Sequence, residues 1–171
     1  MQAFFPQGIV LDEFFCNREQ ERALLANKIK MHEHTVLVAP RRYGKTSLMM
    51  QVLKENALPS IRIDLFFALS YSDVVKSTVT HLERLLSTLL AKRSSMAQKV
   101  IEGIAKLSPR LTFTILGQKL EIGLKQTTEH TIADLLLAID LAAQKVEESA
   151  VIVFDEFQQI GELPDGHSIE A

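Results

Sequence analysis

Cysteine is nearly missing from this chain. Its 171 residues hold one, Cys16, so no internal disulfide can form and a reducing, cytoplasmic setting is the simplest expectation. Cys16 itself reads as a small buried apolar residue. A basic surplus is missing too: 19 Lys and Arg stand against 21 Asp and Glu, a net charge of −2. That balance argues against the broad positive footprint of a dedicated nucleic-acid binder. Long apolar runs are also absent. The start, "MQAFFPQGIVLDEFF", lacks a basic segment followed by an apolar stretch, and the apolar segment "ADLLLAIDLAA" is interrupted by Asp134 and Asp140. Neither an export signal nor a membrane span is predicted. The five histidines, His32, His34, His81, His130 and His167, show no metal-ligand spacing.

What is there is a high apolar content, 47% of residues, enough for one domain with a substantial core. After an irregular start broken by Pro6 and Gly8, "NREQERALLANKIK" predicts a helix with Asn17 as N-cap and Gln20 returning the capping bond. "HTVLVA" reads as a short buried parallel strand, and a helix follows over Lys45 to Glu55. "SIRIDLFF" is a second strand. The amphipathic stretch from Ser72 to about Leu107 predicts two helices with a break near "KRSS". In it, Leu82, Leu85, Leu86, Leu89 and Leu90 read as core ahead of a partner-binding stripe.

"LTFTILGQKLEIGL" predicts a β-hairpin, Leu111 to Leu116 with Lys119 to Leu124, turning at Gly117 and Gln118. Thr131, with Asp134 at the capping-box position, predicts the start of a helix burying Ile132, Leu135, Leu136, Ile139 and Val146. "AVIVF" is a third buried strand, ending in Asp155 and Glu156. Strands alternating with helices predict a three-layer α/β fold, a parallel sheet with helices on both faces and the hairpin near 111–124 inserted. In such sheets ligands bind at the carboxyl ends of the strands.

Both unusual stretches fall at that edge. "APRRYGKTS", Ala39 to Ser47, matches the phosphate-loop pattern G-x-x-x-x-G-K-[ST] except that Ala39 stands at the first glycine. Backbone N–H groups of Ala39, Pro40's neighbours Arg41, Arg42 and Tyr43, and the helix start at Gly44 to Ser47 form the expected nucleotide-binding segment. Gly44 lets the backbone approach phosphates, Lys45 places a charge on the β and γ oxygens, and the Thr46 hydroxyl completes a Mg²⁺ shell. Alanine at a position needing φ > 0 would cost about 1 kcal/mol or more, a penalty expected to spare Gly44, Lys45 and Thr46. Arg41 and Arg42 reach phosphate or a partner, or are simply solvated. Ser47 has no nucleophile elbow or base beside it.

In "VIVFDEFQQI", Asp155 ends a strand where it can hold Mg²⁺, and Glu156 can orient or deprotonate an attacking water. The plainer alternative is an acidic pair capping the following helix. Glu156 and Lys45 are therefore the candidate catalytic residues, and Thr46 and Asp155 the candidate metal ligands. Asp64, at the end of the second strand, either touches the metal shell through water or is a solvated strand end.

With "FCNREQE", "APRRYGKTSL" and "VIVFDEFQQI" in that order, the sequence resembles AAA+-related, STAND-like P-loop ATPases, a predominantly archaeal group also found in bacteria, over about Phe15 to Ile160. The resemblance implies ATP with Mg²⁺, an adenine base near Phe15 to Arg18 unless those residues only pack, and glycine where this chain has Ala39. Consistently, Asn27 and Lys28 lack the aspartate of a guanine-reading motif. Members usually continue into a sensor strand, an arginine finger, a helical lid and a winged-helix-like domain. The chain thus resembles the front part of a longer protein with an incomplete core, expected to hydrolyse ATP slowly, because an arginine finger is worth about 10³ to 10⁵ in rate. An ATP-driven motor or switch is the first functional expectation, and a nucleotide-regulated interaction module with little turnover the alternative. A degenerate scaffold with an exposed sheet edge is a third. ATP or ADP is the expected small-molecule partner; a homo-oligomer and a protein or nucleic-acid client are left open.

Overall fold

The computed structural model describes residues 8–15, 17–92, 101–106, 111–116, 119–124 and 129–164. Cys16, the helix break near "KRSS" beyond Lys92, the hairpin turn at Gly117 and Gln118, and His167 lie outside them. The chain divides into two compact units, Met1–Leu58 and Pro59–Ala171. It is a mixed α/β chain.

In the first unit a single 3₁₀ turn, Asp12–Phe14, precedes helix α1, Glu19–Lys30, and helix α2, Lys45–Glu55. Leu25 of α1 packs with Leu48 and Val52 of α2, and Phe15, Ile29 and Leu37 border them. This apolar seam is what a helix pair must bury to persist, since neither helix is long enough to be stable alone. Polar bonds tie the segment before α1 to α2. The Val10 N–H donates to Ser47 Oγ at 2.9 Å, and the Asp12 N–H to Gln51 Oε1 at 2.8 Å. Arg22 of α1 also pairs with Glu55 at 2.8 Å.

Two expectations fail in this unit. Asn17 is not the N-cap of α1: Arg18 takes that place, with no side-chain capping bond. Asn17 and Arg18 both adopt left-handed backbone, φ 53° and 66°, so the chain turns sharply into the helix and the Asn17 side chain is not presented to the first turn. The run "HTVLVA" is not a buried strand. It joins no β-ladder among the described residues, and Val36 and Val38 are 85% and 89% exposed. β-branched residues favour a strand only where a neighbouring strand supplies hydrogen bonds and packing.

In the second unit, β1, Ser60–Asp64, pairs in parallel with β4, Val151–Asp155, from Ser60 opposite Val151 to Asp64 opposite Asp155. Between them run α3, Tyr71–Lys92, a helical stretch over 101–106 designated α4, the antiparallel hairpin β2, Leu111–Leu116, with β3, Lys119–Leu124, and α5, Glu129–Val146. A short helix α6, Gln159–Glu162, follows β4. The hairpin has the predicted strands. Among the described residues the parallel sheet is smaller than predicted, with two strands.

α3 and α5 pack along their lengths. Leu82, Leu85, Leu86, Leu89 and Leu90 of α3 are all buried and meet Leu135, Ile139, Ala142 and Val146 of α5, with Ile61 and Ile152 of the two strands against them. The leucine stripe is thus core. α5 begins at Glu129, so Thr131 lies inside it and does not start it. Leu136 is 42% exposed, because it falls one position off the buried 135–139–142–146 stripe. α3 opens with a side-chain cap: Ser70 Oγ donates to Asp73 at 2.8 Å, and the Leu69 N–H donates to the same carboxylate at 3.3 Å. The Ser70 bond leads the causes holding the Asp73 carboxyl below its usual range.

Candidate functional site

The loop before α2 is shaped by two left-handed residues, Arg42 at φ 66° and Gly44 at φ 72°. The Tyr43 N–H donates to Pro40 O at 3.3 Å, closing a turn, and the Leu48 N–H donates to Gly44 O at 2.9 Å, opening the helix. Ala39 is not among the positive-φ residues. The penalty expected for alanine there does not arise, since its backbone is one that any L-residue adopts. The glycine freedom of this loop is spent at Gly44, where an added Cβ would meet nothing within 4 Å. A bulky neighbour does not crowd the backbone at that point.

Lys45, the first residue of α2, folds back onto the loop. Its ammonium donates to Ala39 O at 2.9 Å and to Pro40 O at 3.4 Å. A cation is thus held beside the first turn of an 11-residue helix, whose leading N–H groups have no intrahelical acceptors. Thr46 follows, partly exposed. Ser47 is only 8% exposed and its hydroxyl accepts from Val10, so it serves the packing of the preceding segment. Arg41 and Arg42 are exposed.

Arg18 braces this loop from α1's cap. Its guanidinium donates to Tyr43 O at 2.5 Å and lies 5.4 Å from the centre of the Tyr43 ring, a cation–π distance. Phe14, Phe15 and Tyr43, with Arg18, Arg42 and Gly44, line an open cleft of about 390 Å³ completed by Val10 and Ser47. Phe15 and Arg18, expected near a base, therefore share one cleft with the loop. Val10 and Phe14 were not foreseen. Their signal in the sequence is faint, since the apolar pairs of "GIVLDEFF" carry no clear period.

In the second unit, the ends of β1 and β4 bring carboxylates together. Asp155 is one residue in the strand and Glu156 the next, and Glu156 has left-handed backbone at φ 55°. The Glu156 N–H donates to Asp155 Oδ1 at 3.1 Å, and the Glu156 carboxylate accepts from Gln158 Nε2. Asp64, the register partner of Asp155, is not simply solvated. It accepts from Arg62 Nη2, and its Oδ1 accepts the Phe66 N–H at 3.1 Å. Arg62 Nε also lies 3.6 Å from Asp155 Oδ2. Sequence reasoning passed over Arg62, although the spacing Arg62-x-Asp64 in a strand puts both on one face. Among the described residues no three His, Cys, Asp or Glu side chains converge as a metal cluster, and no helix is long and apolar enough to cross a membrane.

No protein-family model, curated protein or solved structure matches this chain.

Proposed function

We propose that this chain binds Mg-ATP through the loop Ala39 to Ser47, within a P-loop fold of the AAA+-like class. The observation that carries the reading is the junction of loop and α2: left-handed Gly44 with open space above it, then Lys45 with its ammonium held against the loop's own carbonyls at 2.9 Å. A polyphosphate suits such a helix start, because it takes up the leading N–H groups and draws the lysine charge. The aromatic cleft of Phe14, Phe15 and Tyr43 beside the loop suits a purine base. Adenine is the base that the resemblance to AAA+-like ATPases implies.

Mg²⁺ prefers hard oxygen ligands and shares them with phosphate. Thr46, on the first turn of α2, carries such an oxygen, and Asp155 of the second unit is a carboxylate of the same hard class, so the donor chemistry of each residue suits the ion. When bound, Mg²⁺ neutralises charge on the phosphates. Glu156 is the residue assigned to orient or deprotonate the attacking water.

Titration calorimetry with Mg-ATP and Mg-GTP, on this chain and on Lys45→Ala, tests the reading. Losing a charge-assisted contact to phosphate weakens binding by about 10- to 100-fold. Equal ATP binding by both proteins, each with a native far-UV spectrum, would refute the assignment of Lys45.

One observation favours a regulated interaction module as the second reading. Phe67 and Leu69, in the loop directly after β1, are 80% and 83% exposed, close in sequence to the acidic strand end. Glu156→Gln separates the two readings: a motor loses its output, whereas an interaction module is locked in one state.

A further inference from the structure

The loop between β1 and α3 sends its apolar residues in two directions. Leu65 is fully buried and Ala68 packs beside it against the cluster of Ile63, Val74, Ile160 and Leu163, whereas Phe66, Phe67 and Leu69 are exposed. Apolar side chains left in water gain by burial, and several of them on one loop mark a contact surface in a way that single exposed residues do not. The end of β4, joined to this loop by a bond from the Leu65 N–H to Asp155 O at 3.1 Å, adds the exposed Phe154 and Phe157.

The outward residues are held in place. The Phe66 N–H donates to Asp64 Oδ1 at 3.1 Å and the Leu69 N–H to Asp73 Oδ2 at 3.3 Å, while the Ala68 N–H closes a turn onto Leu65 O at 3.1 Å. The Phe66 and Phe67 rings meet edge to face, 5.0 Å between centres. A loop tied at both ends and pinned to the core between them loses little freedom when a partner seats on it, which favours binding.

Charge selects the partner. Segments 59–76 and 150–163, which build this surface, carry Asp64, Asp73, Asp155, Glu156 and Glu162 against Arg62 and Lys76, and Arg62 is already engaged by Asp64 and Asp155. An acidic surround repels a second copy of the same face and an anionic lipid surface, and it attracts a partner whose apolar anchors are flanked by lysine or arginine. We propose that loop 65–70 is a docking surface for a basic, apolar-anchored segment of another protein, with Phe67 and Leu69 as the residues that the partner covers. This extends the interaction reading, giving it a surface and a partner chemistry, and stands independently of nucleotide binding by the first unit.

The test is fluorescence anisotropy without nucleotide, using two labelled amphipathic helical peptides, one of leucine and lysine and one of leucine and glutamate. Each is titrated with wild type, Phe67→Ser, Leu69→Ser and, as a control at an exposed position of α5, Leu137→Ser. Wild type should bind the lysine peptide about tenfold or more tighter than the glutamate peptide, and added salt should narrow that difference. Covering a phenylalanine or leucine side chain is worth about tenfold or more in affinity, so Phe67→Ser and Leu69→Ser should each weaken the lysine peptide by about that factor while Leu137→Ser leaves it unchanged. Far-UV circular dichroism checks folding, and either loop substitution serves should the other fail to fold. Equal binding of the two peptides, or an affinity untouched by the loop substitutions, would overturn the proposal. So would a wild-type dimer in sedimentation that Phe67→Ser disperses, which makes the loop a contact between copies, or co-sedimentation with phosphatidylcholine vesicles while the lysine peptide stays free, which makes it a membrane contact. None of these results touches the Mg-ATP reading, which the Lys45→Ala titration decides.

Discussion

Replacing one residue by glycine should help at one position of the loop before α2 and harm at another three residues away. Arg42 holds φ 66° and Ala39 does not lie in the left-handed region. An L-residue in that region costs about 1 to 2 kcal/mol, and a new glycine costs about 0.4 to 1 kcal/mol through the freer unfolded chain. Arg42→Gly should therefore stabilise by about 0.5 to 1 kcal/mol, its side chain being exposed. Ala39→Gly relieves nothing and should destabilise by about 0.5 to 1 kcal/mol. Gly44→Ala is the converse case. No atom lies within 4 Å of the added Cβ, so its cost is conformational alone, about 1 kcal/mol. Urea denaturation measures all three. The chain has no tryptophan, so far-UV circular dichroism is the signal, and 1 kcal/mol at a slope of about 2 kcal/mol/M moves the midpoint by about 0.5 M. Stabilisation by Ala39→Gly together with destabilisation by Arg42→Gly would refute the assignment of the loop's left-handed residues. So would a loss of about 3 kcal/mol or more in Gly44→Ala, which would require a steric neighbour beyond the conformational term.

Other expectations concern the second unit. Leu86→Ala, at a fully buried position between α3 and α5, should cost about 2 to 5 kcal/mol, whereas the same change at Leu136, 42% exposed, should stay within about 0.5 kcal/mol; thermal melts of the two variants compare them. Asp73, its carboxyl held low chiefly by the Ser70 hydroxyl, stabilises the fold in its charged form. A depressed folded pKa means this contribution is present above the unfolded value near 3.8 and is lost as pH falls through the lower folded value. Asp73→Asn should thus be less stable than wild type at pH 7, with the gap closing on acidification below about pH 4; a gap that widens in acid would reverse the sign of the interaction.

What the sequence made legible was set by residues acting on their near neighbours. The helix Lys45–Glu55 starts and stops where predicted, because Gly44 supplies the left-handed turn and the apolar positions Leu48 and Val52 keep a helical period. The hairpin strands were legible from their alternation, and the leucine stripe of α3 from its spacing. "HTVLVA" failed for a different reason. A strand is completed by a partner, and no local property of Val36 or Val38 reports whether one is present. Asn17 is a favoured capping residue, yet tertiary bonds from Arg18 to Tyr43 decide the backbone there. Motif spacing alone singles out Gly44 and Lys45 in the first unit and Asp155 and Glu156 in the second as candidates. Arg62 was not legible, because its pairing with Asp155 depends on a register between strands some ninety positions apart, which only the fold reveals.

The loop Ala39 to Ser47 is usually regarded as a self-contained signature, but in this protein its shape is maintained from upstream. Arg18 grips Tyr43 by carbonyl and ring, Val10 takes the hydroxyl of Ser47, and Asp12 reaches Gln51 and Lys54 on the following helix. Grafting the nine-residue motif with its helix into another protein would carry over the letters and leave behind the braces. The smallest portable piece begins near Val10, and trimming the chain from its front should be felt first at Ser47, 37 positions downstream of Val10, before it is felt in the helix the trimming exposes.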